Sequence, residues 1–141
     1  MINPDKIRDK IQFIQRNLGK LQQINKKSQL EFLQDPFMLD AATRLLQISI
    51  EAVLDISQHI VSRKHLGIPK TYRESVELLV KSGILSKKKL PNLINMIKFR
   101  NRAVHLYDDI SGEEIYKIIQ YHLSDFEDFI SSVVACCFNG D

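Results

Sequence analysis

Apolar residues recur at steps of three and four along most of this 141-residue chain, the spacing of helices that each bury one face. Ile7, Ile11, Ile14, Leu18, Leu21 and Ile24 form the first stripe, with lysine, glutamine and arginine opposite. Asn3-Pro4 announces that helix, because asparagine caps free N–H groups and proline fits the first turn. Ser28-Gln29-Leu30-Glu31 has the form of a capping box and predicts a short helix ending near Gln34. Asp35-Pro36 opens a long helix that reaches about His65 and closes at Gly67, with Pro69 beyond. Its centre, Leu45, Leu46, Ile48, Ile50, Val53, Leu54, Ile56 and Ile60, is apolar nearly all round, which marks a central helix.

Thr71-Tyr72-Arg73-Glu74 is a second capping box, and its helix stops at Gly83. Another helix begins between Ser86 and Pro91 and runs to about Val104. Ser111-Gly112-Glu113-Glu114 is a third box, opening a last helix that carries Ile115, Ile118, Ile119, Leu123, Phe126, Ile130, Val133 and Val134. The pattern predicts one all-α domain over residues 1–141, an up-and-down bundle of five long helices and one short one, without strands. Five glycines, four prolines and no tryptophan agree with few turns.

Charge adds an asymmetry. Residues 1–107 hold 19 Lys/Arg against 9 Asp/Glu, whereas residues 108–141 hold 1 against 8. A basic body suits an anionic ligand and an acidic end suits a basic partner, although solvated helix faces would give the same linear blocks. The two cysteines, Cys136 and Cys137, are adjacent and read as small apolar residues of the last helix. With the polar, charged opening Met1–Lys10, they lead us to expect a cytoplasmic protein with no secretory leader. The longest apolar run, Phe129 to Phe138, is too short to span a bilayer.

Chemistry concentrates in Phe99-Arg100-Asn101-Arg102-Ala103-Val104-His105-Leu106-Tyr107-Asp108-Asp109, where an apolar helix ends. Arginine presents a planar, permanently charged fork that matches phosphate. Histidine, with an ordinary pKa of about 6.5, takes and gives protons near neutrality. Together they suit metal-free RNA cleavage. His105 would serve as general base or acid, Arg100 would stabilise charge at phosphorus, and Asn101 would orient His105 or bond a phosphate oxygen. An Arg and a His near a helix C-terminus are also a plain dipole interaction. Five residues along a continuous helix turn a side chain by about 140° from the starting face. Arg100 and His105 therefore share a site only if the helix breaks near Val104 or if two copies of the chain build it. Past such a break, an extended backbone would point His105 and Tyr107 the same way.

Arg100-Asn101, three further residues, His105, Leu106 and Tyr107 resemble the signature of the HepT-type toxins of the HEPN superfamily: Arg, usually Asn, four to six residues between Arg and His, one residue, Tyr. Ile50 to Ile56, His59-Ile60, Leu66 to Tyr72, Met96-x-x-Phe99 and Leu123-x-Asp125-Phe126 extend the similarity over about residues 36–130. The resemblance implies a dimeric helical bundle acting as a metal-independent endoribonuclease toxin, with tRNA among the known targets and no cofactor. It also implies a nucleotidyltransferase antitoxin of the MNT type that transfers AMP to the motif tyrosine, here Tyr107. AMP beside His105 would fill the cleft with bulk and negative charge. The competing reading is a non-catalytic HEPN subunit that binds nucleotide or substrate for a nucleotidyltransferase.

Other residues are candidates for the site. Gln47, Glu51, Asp55 and His59 follow at steps of four, as a polar stripe lining the cleft, a metal face or a plainly solvated face. A bundle di-metal centre wants Glu-x-x-His on two helices, and no Glu here has His three residues later, so no metal is expected. Arg102 joins the cleft-lining candidates as a further phosphate contact or a solvated arginine, and Lys87-Lys88-Lys89 is an RNA-backbone contact or a solvated loop.

Overall fold

The computed structural model describes residues 1–138, apart from the side chain of Tyr107. Among the described residues the regular structure is entirely helical: α1 Pro4–Asn25, α2 Gln29–Gln34, α3 Pro36–Arg63, α4 Tyr72–Lys81, α5 Leu90–His105, α6 Gly112–Tyr121 and α7 Leu123–Cys137, with single 3-10 turns at Lys87–Lys89 and Tyr107–Asp109. The central helix is α3, packed on α1, α4 and α5 and also touching α2 and α6. It buries Leu46, Ile50, Val53, Leu54, Ile56 and Ile60, as the apolar pattern expects. Its buried polar groups are answered within the fold. Ser57 Oγ donates to the Val53 carbonyl at 2.9 Å, and Asn17 of α1 donates to Ser49 Oγ at 3.1 Å. Ile7, Ile11, Ile14, Leu18 and Leu21 of α1 are buried, and Ile24 packs half-buried at the edge.

Caps set where the helices begin. Asn3 Oδ1 accepts from the Lys6 N–H at 3.3 Å, and Asp35 Oδ1 accepts from Phe37 and Met38. Ser28 and Glu31 form a complete reciprocal box. The other two boxes are only half formed. Thr71 and Ser111 accept from the N–H groups of Glu74 and Glu114, but the carboxylate of Glu74 turns to the Lys70 N–H and that of Glu114 to Arg102.

Two helix ends differ from the sequence reading. α3 stops at Arg63, and the left-handed residue behind it is His65 (φ 55°), closed by the Leu66 N–H on the Val61 carbonyl at 3.0 Å. Gly67 takes φ 151°, and a Cβ there would meet Leu78 at 3.0 Å. The last predicted helix is two. His122 leaves helical geometry (φ −123°, ψ 3°) and the chain restarts at Leu123. The stripe Ile115, Ile119, Leu123, Phe126, Ile130, Val133 stays buried through the break, so hydrophobic phase does not register it. Polar bonds hold it instead: Asp125 accepts from Asn92 of α5 at 2.8 Å and faces His122 Nδ1 at 3.3 Å. Cys136 and Cys137 are free and half-buried on α7, and burial and then its neighbour Cys136 push the Cys137 thiol up to about 12. Among the described residues no helix is long and apolar enough to cross a membrane.

Candidate functional site

Leu93, Met96, Ile97, Phe99 and Ala103 are the buried positions of α5 and fasten it to α3 and α4. Arg100, Asn101 and His105 are left to other faces of its last turns. Arg100 Nε donates to Glu51 Oε2 at 3.0 Å, and the same oxygen accepts from Gln47 Nε2 at 3.2 Å. Arg100 Nη1 donates to Asn101 Oδ1 at 3.2 Å, and the guanidinium carbon sits 5.4 Å from the centre of the Tyr72 ring. The Arg100 side chain is 18% exposed, and the fork is held between a carboxylate and an aromatic face. Gln47, Glu51, Arg100 and Asn101 thus form one cluster from α3 and α5, while α4 contributes Tyr72. Tyr72 escaped the sequence reading as a site residue, because in sequence it is just the second member of a cap.

Three candidates fall elsewhere. Asp55 pairs with Lys10 of α1 at 2.9 Å and, with Glu51, lines an open groove of about 750 Å³ between α1 and α3. His59 is buried and accepts from the Asn3 backbone N–H on Nε2 at 3.1 Å; burial, then Lys6, Arg63 and the amino terminus, lower its pKa. The four-residue stripe is therefore divided between three sets of partners and does not converge on one point. Arg102, its side chain a third exposed, is not in the cluster with Arg100. It makes a bidentate pair with Glu114 of α6 (2.7 and 3.0 Å), and also donates to the Asp109 carboxylate (3.2 Å) and carbonyl (3.1 Å).

His105 is the last residue of α5 and is exposed, flanked by Val104 and Leu106, which are 40% and 59% exposed. The helix does not break near Val104; it runs through His105 and ends at Leu106 (φ −131°, ψ 47°). Arg100 and His105 accordingly stay about 140° apart around one axis. The chain then enters the 3-10 turn Tyr107–Asp109, not an extended segment, so the expected alternation of His105 and Tyr107 does not apply. The Tyr107 side chain, the expected AMP acceptor, lies outside the described residues. Lys87–Lys89 sits at the other end of α5, about 15 Å along the axis from Arg100 at 1.5 Å per residue. Lys89 there pairs with Asp128 at 2.8 Å.

A helical bundle whose fifth helix ends in Arg100-Asn101 and His105-x-Tyr107 falls in the HEPN class. Within it the chain belongs to the ribonuclease HepT-like family, whose model matches residues 14–133. It is 35% identical over 131 residues to the mRNA nuclease HepT of Shewanella oneidensis, covering 93% of this chain and 98% of that one. It is 28% identical over 132 residues to the tRNA nuclease HepT of Aphanizomenon flos-aquae, covering 94% and 90%. Among solved structures, the tri-AMPylated Shewanella oneidensis HEPN toxin in complex with MNT antitoxin superimposes with a TM-score of 0.87 at 35% identity, over 95% of this chain and 99% of that one.

Proposed function

We propose that this chain is the ribonuclease toxin of a cytoplasmic HEPN/MNT toxin–antitoxin pair, with Arg100 and His105 as its catalytic residues. The observation that carries the reading is the helix end itself. It presents a mostly buried, oriented guanidinium at Arg100 and an exposed imidazole at His105, a charge stabiliser and a proton carrier that suit metal-free cleavage of RNA. In the reaction the RNA 2′-hydroxyl attacks the neighbouring phosphorus and the 5′-oxygen leaves, giving a 2′,3′-cyclic phosphate. His105 takes the hydroxyl proton or gives one to the leaving oxygen, Arg100 offsets charge at phosphorus, and Asn101 steadies the guanidinium or a phosphate oxygen. No metal is needed for this scheme.

Because one chain turns Arg100 and His105 apart, the site is shared by two chains of a homodimer, Arg100 of one facing His105 of the other. Exposed Val104 and Leu106 beside His105 are apolar surface that such a partner would cover. The antitoxin would act on Tyr107. Its phenol oxygen bonds the α-phosphorus of ATP and loses its proton as pyrophosphate leaves, and the added phosphate repels RNA. Support comes from the AMPylated state of the Shewanella toxin. The relatives are named for different RNAs, so tRNA and mRNA are the substrates to try together.

The test is cleavage of both RNAs by the purified chain in excess EDTA. Wild-type cutting that persists in EDTA and disappears in Arg100→Ala and His105→Ala would establish the reading. No cutting, or equal cutting by all three, would leave the competing role, a binding subunit for a nucleotidyltransferase.

A further inference from the structure

The mouth of an open groove of about 520 Å³ lies between the start of α4 and the outer face of α5, next to the Arg100 cluster. Lys70, Arg73 and Lys98 line it, and no carboxylate does. The neighbouring grooves are mixed: Glu51 and Asp55 line the one between α1 and α3, and Glu114 and Asp125 the one across α5, with Lys98 on the ridge that both α5 grooves share. Lys70 and Lys98 are exposed, and neither makes an ion pair with an acidic side chain among the described residues. Among the described residues Arg73 pairs with Glu77, at 3.4 Å in an exposed pair that contributes little and yields readily to a phosphate. The groove is also joined to Arg100 by contact: Asn101 accepts from its Nη1, and Tyr72 lies beneath its guanidinium. Ile97 supplies apolar floor.

We infer that this groove holds the RNA strand beside the scissile phosphate, with Lys70, Lys98 and Arg73 as backbone contacts. A track of cations with an aromatic wall is how single strands are held without sequence readout. A cleft of a few hundred Å³ accommodates about one nucleotide of that strand. The cations set how tightly RNA binds, while Arg100 and His105 set how fast it is cut. The inference rests on the ribonuclease reading, and its test separates the two.

Lys70→Gln/Lys98→Gln is compared with Lys20→Gln/Lys26→Gln, an equal charge loss at exposed positions of α1 and just beyond it. Binding is measured on a single-stranded RNA with 2′-O-methyl groups throughout, which cannot be cut, across a salt series. The groove pair should reduce the slope of log affinity against log salt by about 1.4, near 0.7 for each lost contact on a single strand. It should also raise KM for cleavable RNA with kcat unchanged, while the α1 pair does neither. Equal behaviour of the two pairs, with wild type cutting normally, would overturn the groove and leave the ribonuclease standing. A wild type that cuts nothing but loses RNA affinity through the groove pair alone would keep the groove and remove the ribonuclease. Unchanged RNA affinity with lost binding to the nucleotidyltransferase would give the groove to that protein and overturn the inference.

Discussion

Arg100 and His105 stand on the same helix and face about 140° apart, with the helix intact between them. The site proposed above takes one residue from each of two chains, and this has a direct test. Arg100→Ala and His105→Ala, alone, should each lower kcat, by about 10²–10³-fold for loss of a charge-stabilising donor and about 10²–10⁴-fold for loss of a proton carrier. Mixing the two dead proteins under exchange conditions should restore about a quarter of wild-type activity. About half of the dimers become mixed, each with one whole site out of two. Restoration to zero would place both residues of a working site in one chain, or require two of each.

Glu51 is the residue that fixes Arg100. Its carboxylate also binds Gln47, so it is itself held in place. Glu51→Ala should leave KM near wild type and lower kcat by up to about 10²-fold, the scale of a 1 Å misplacement. Glu51→Gln, which keeps an acceptor oxygen, should restore most of it. Steady-state kinetics on the three proteins decides, and no rescue by glutamine would make Glu51 a charge requirement and not a positioning one.

Arg102 holds the turn that follows the motif. Its fork ties Asp109 and Glu114 together across the Tyr107–Asp109 turn. Arg102→Ala should raise amide exchange over residues 106–110 and slow AMP transfer to Tyr107, with smaller loss of RNA cleavage. Hydrogen exchange by mass spectrometry and radiolabelled AMP incorporation measure both. Unchanged exchange in the turn would make the pair with Glu114 dispensable.

His59 makes stability depend on pH. Burial and the nearby positive charges of Lys6, Arg63 and the amino terminus hold its pKa below the ordinary 6.5. The unfolded chain therefore binds the proton first. The stability that neutral His59 brings is complete above pH 6.5 and is lost as pH falls from there through its native value. Protonation also removes the Nε2 lone pair that accepts from Asn3, at the cap of α1. Tm should drop between pH 7 and 5 more steeply for wild type than for His59→Gln, which keeps an acceptor without a titration. Parallel curves would assign the acid sensitivity to other groups.

The sequence was readable where one residue's type decides the outcome. Asn3-Pro4, Asp35-Pro36 and Ser28 with Glu31 each fix a helix start through bonds to their own neighbours, and all three appear as expected. The apolar stripes gave the core of α1 and α3 for the same reason. What escaped depends on partners distant in sequence. The break at His122 is held by Asn92, 30 residues earlier, while the buried stripe runs through it unchanged. Glu114 abandons its cap for Arg102, and Tyr72 reaches Arg100 only because α4 packs on α5. In the candidate site, the stripe of Gln47, Glu51, Asp55 and His59 was visible, but which members meet Arg100 is decided by the positions of α1 and α5 around α3.

Val104 and Leu106 leave apolar surface open on either side of His105. When completing the site and covering that surface are the same event, catalytic power is second order in chain number at low expression. A cell with few unmodified copies then holds far fewer working sites than copies, so leaky synthesis is tolerated and a modest surge is not. One modified chain in a pair would also spoil a site belonging to its neighbour, letting a small amount of antitoxin silence more than it touches.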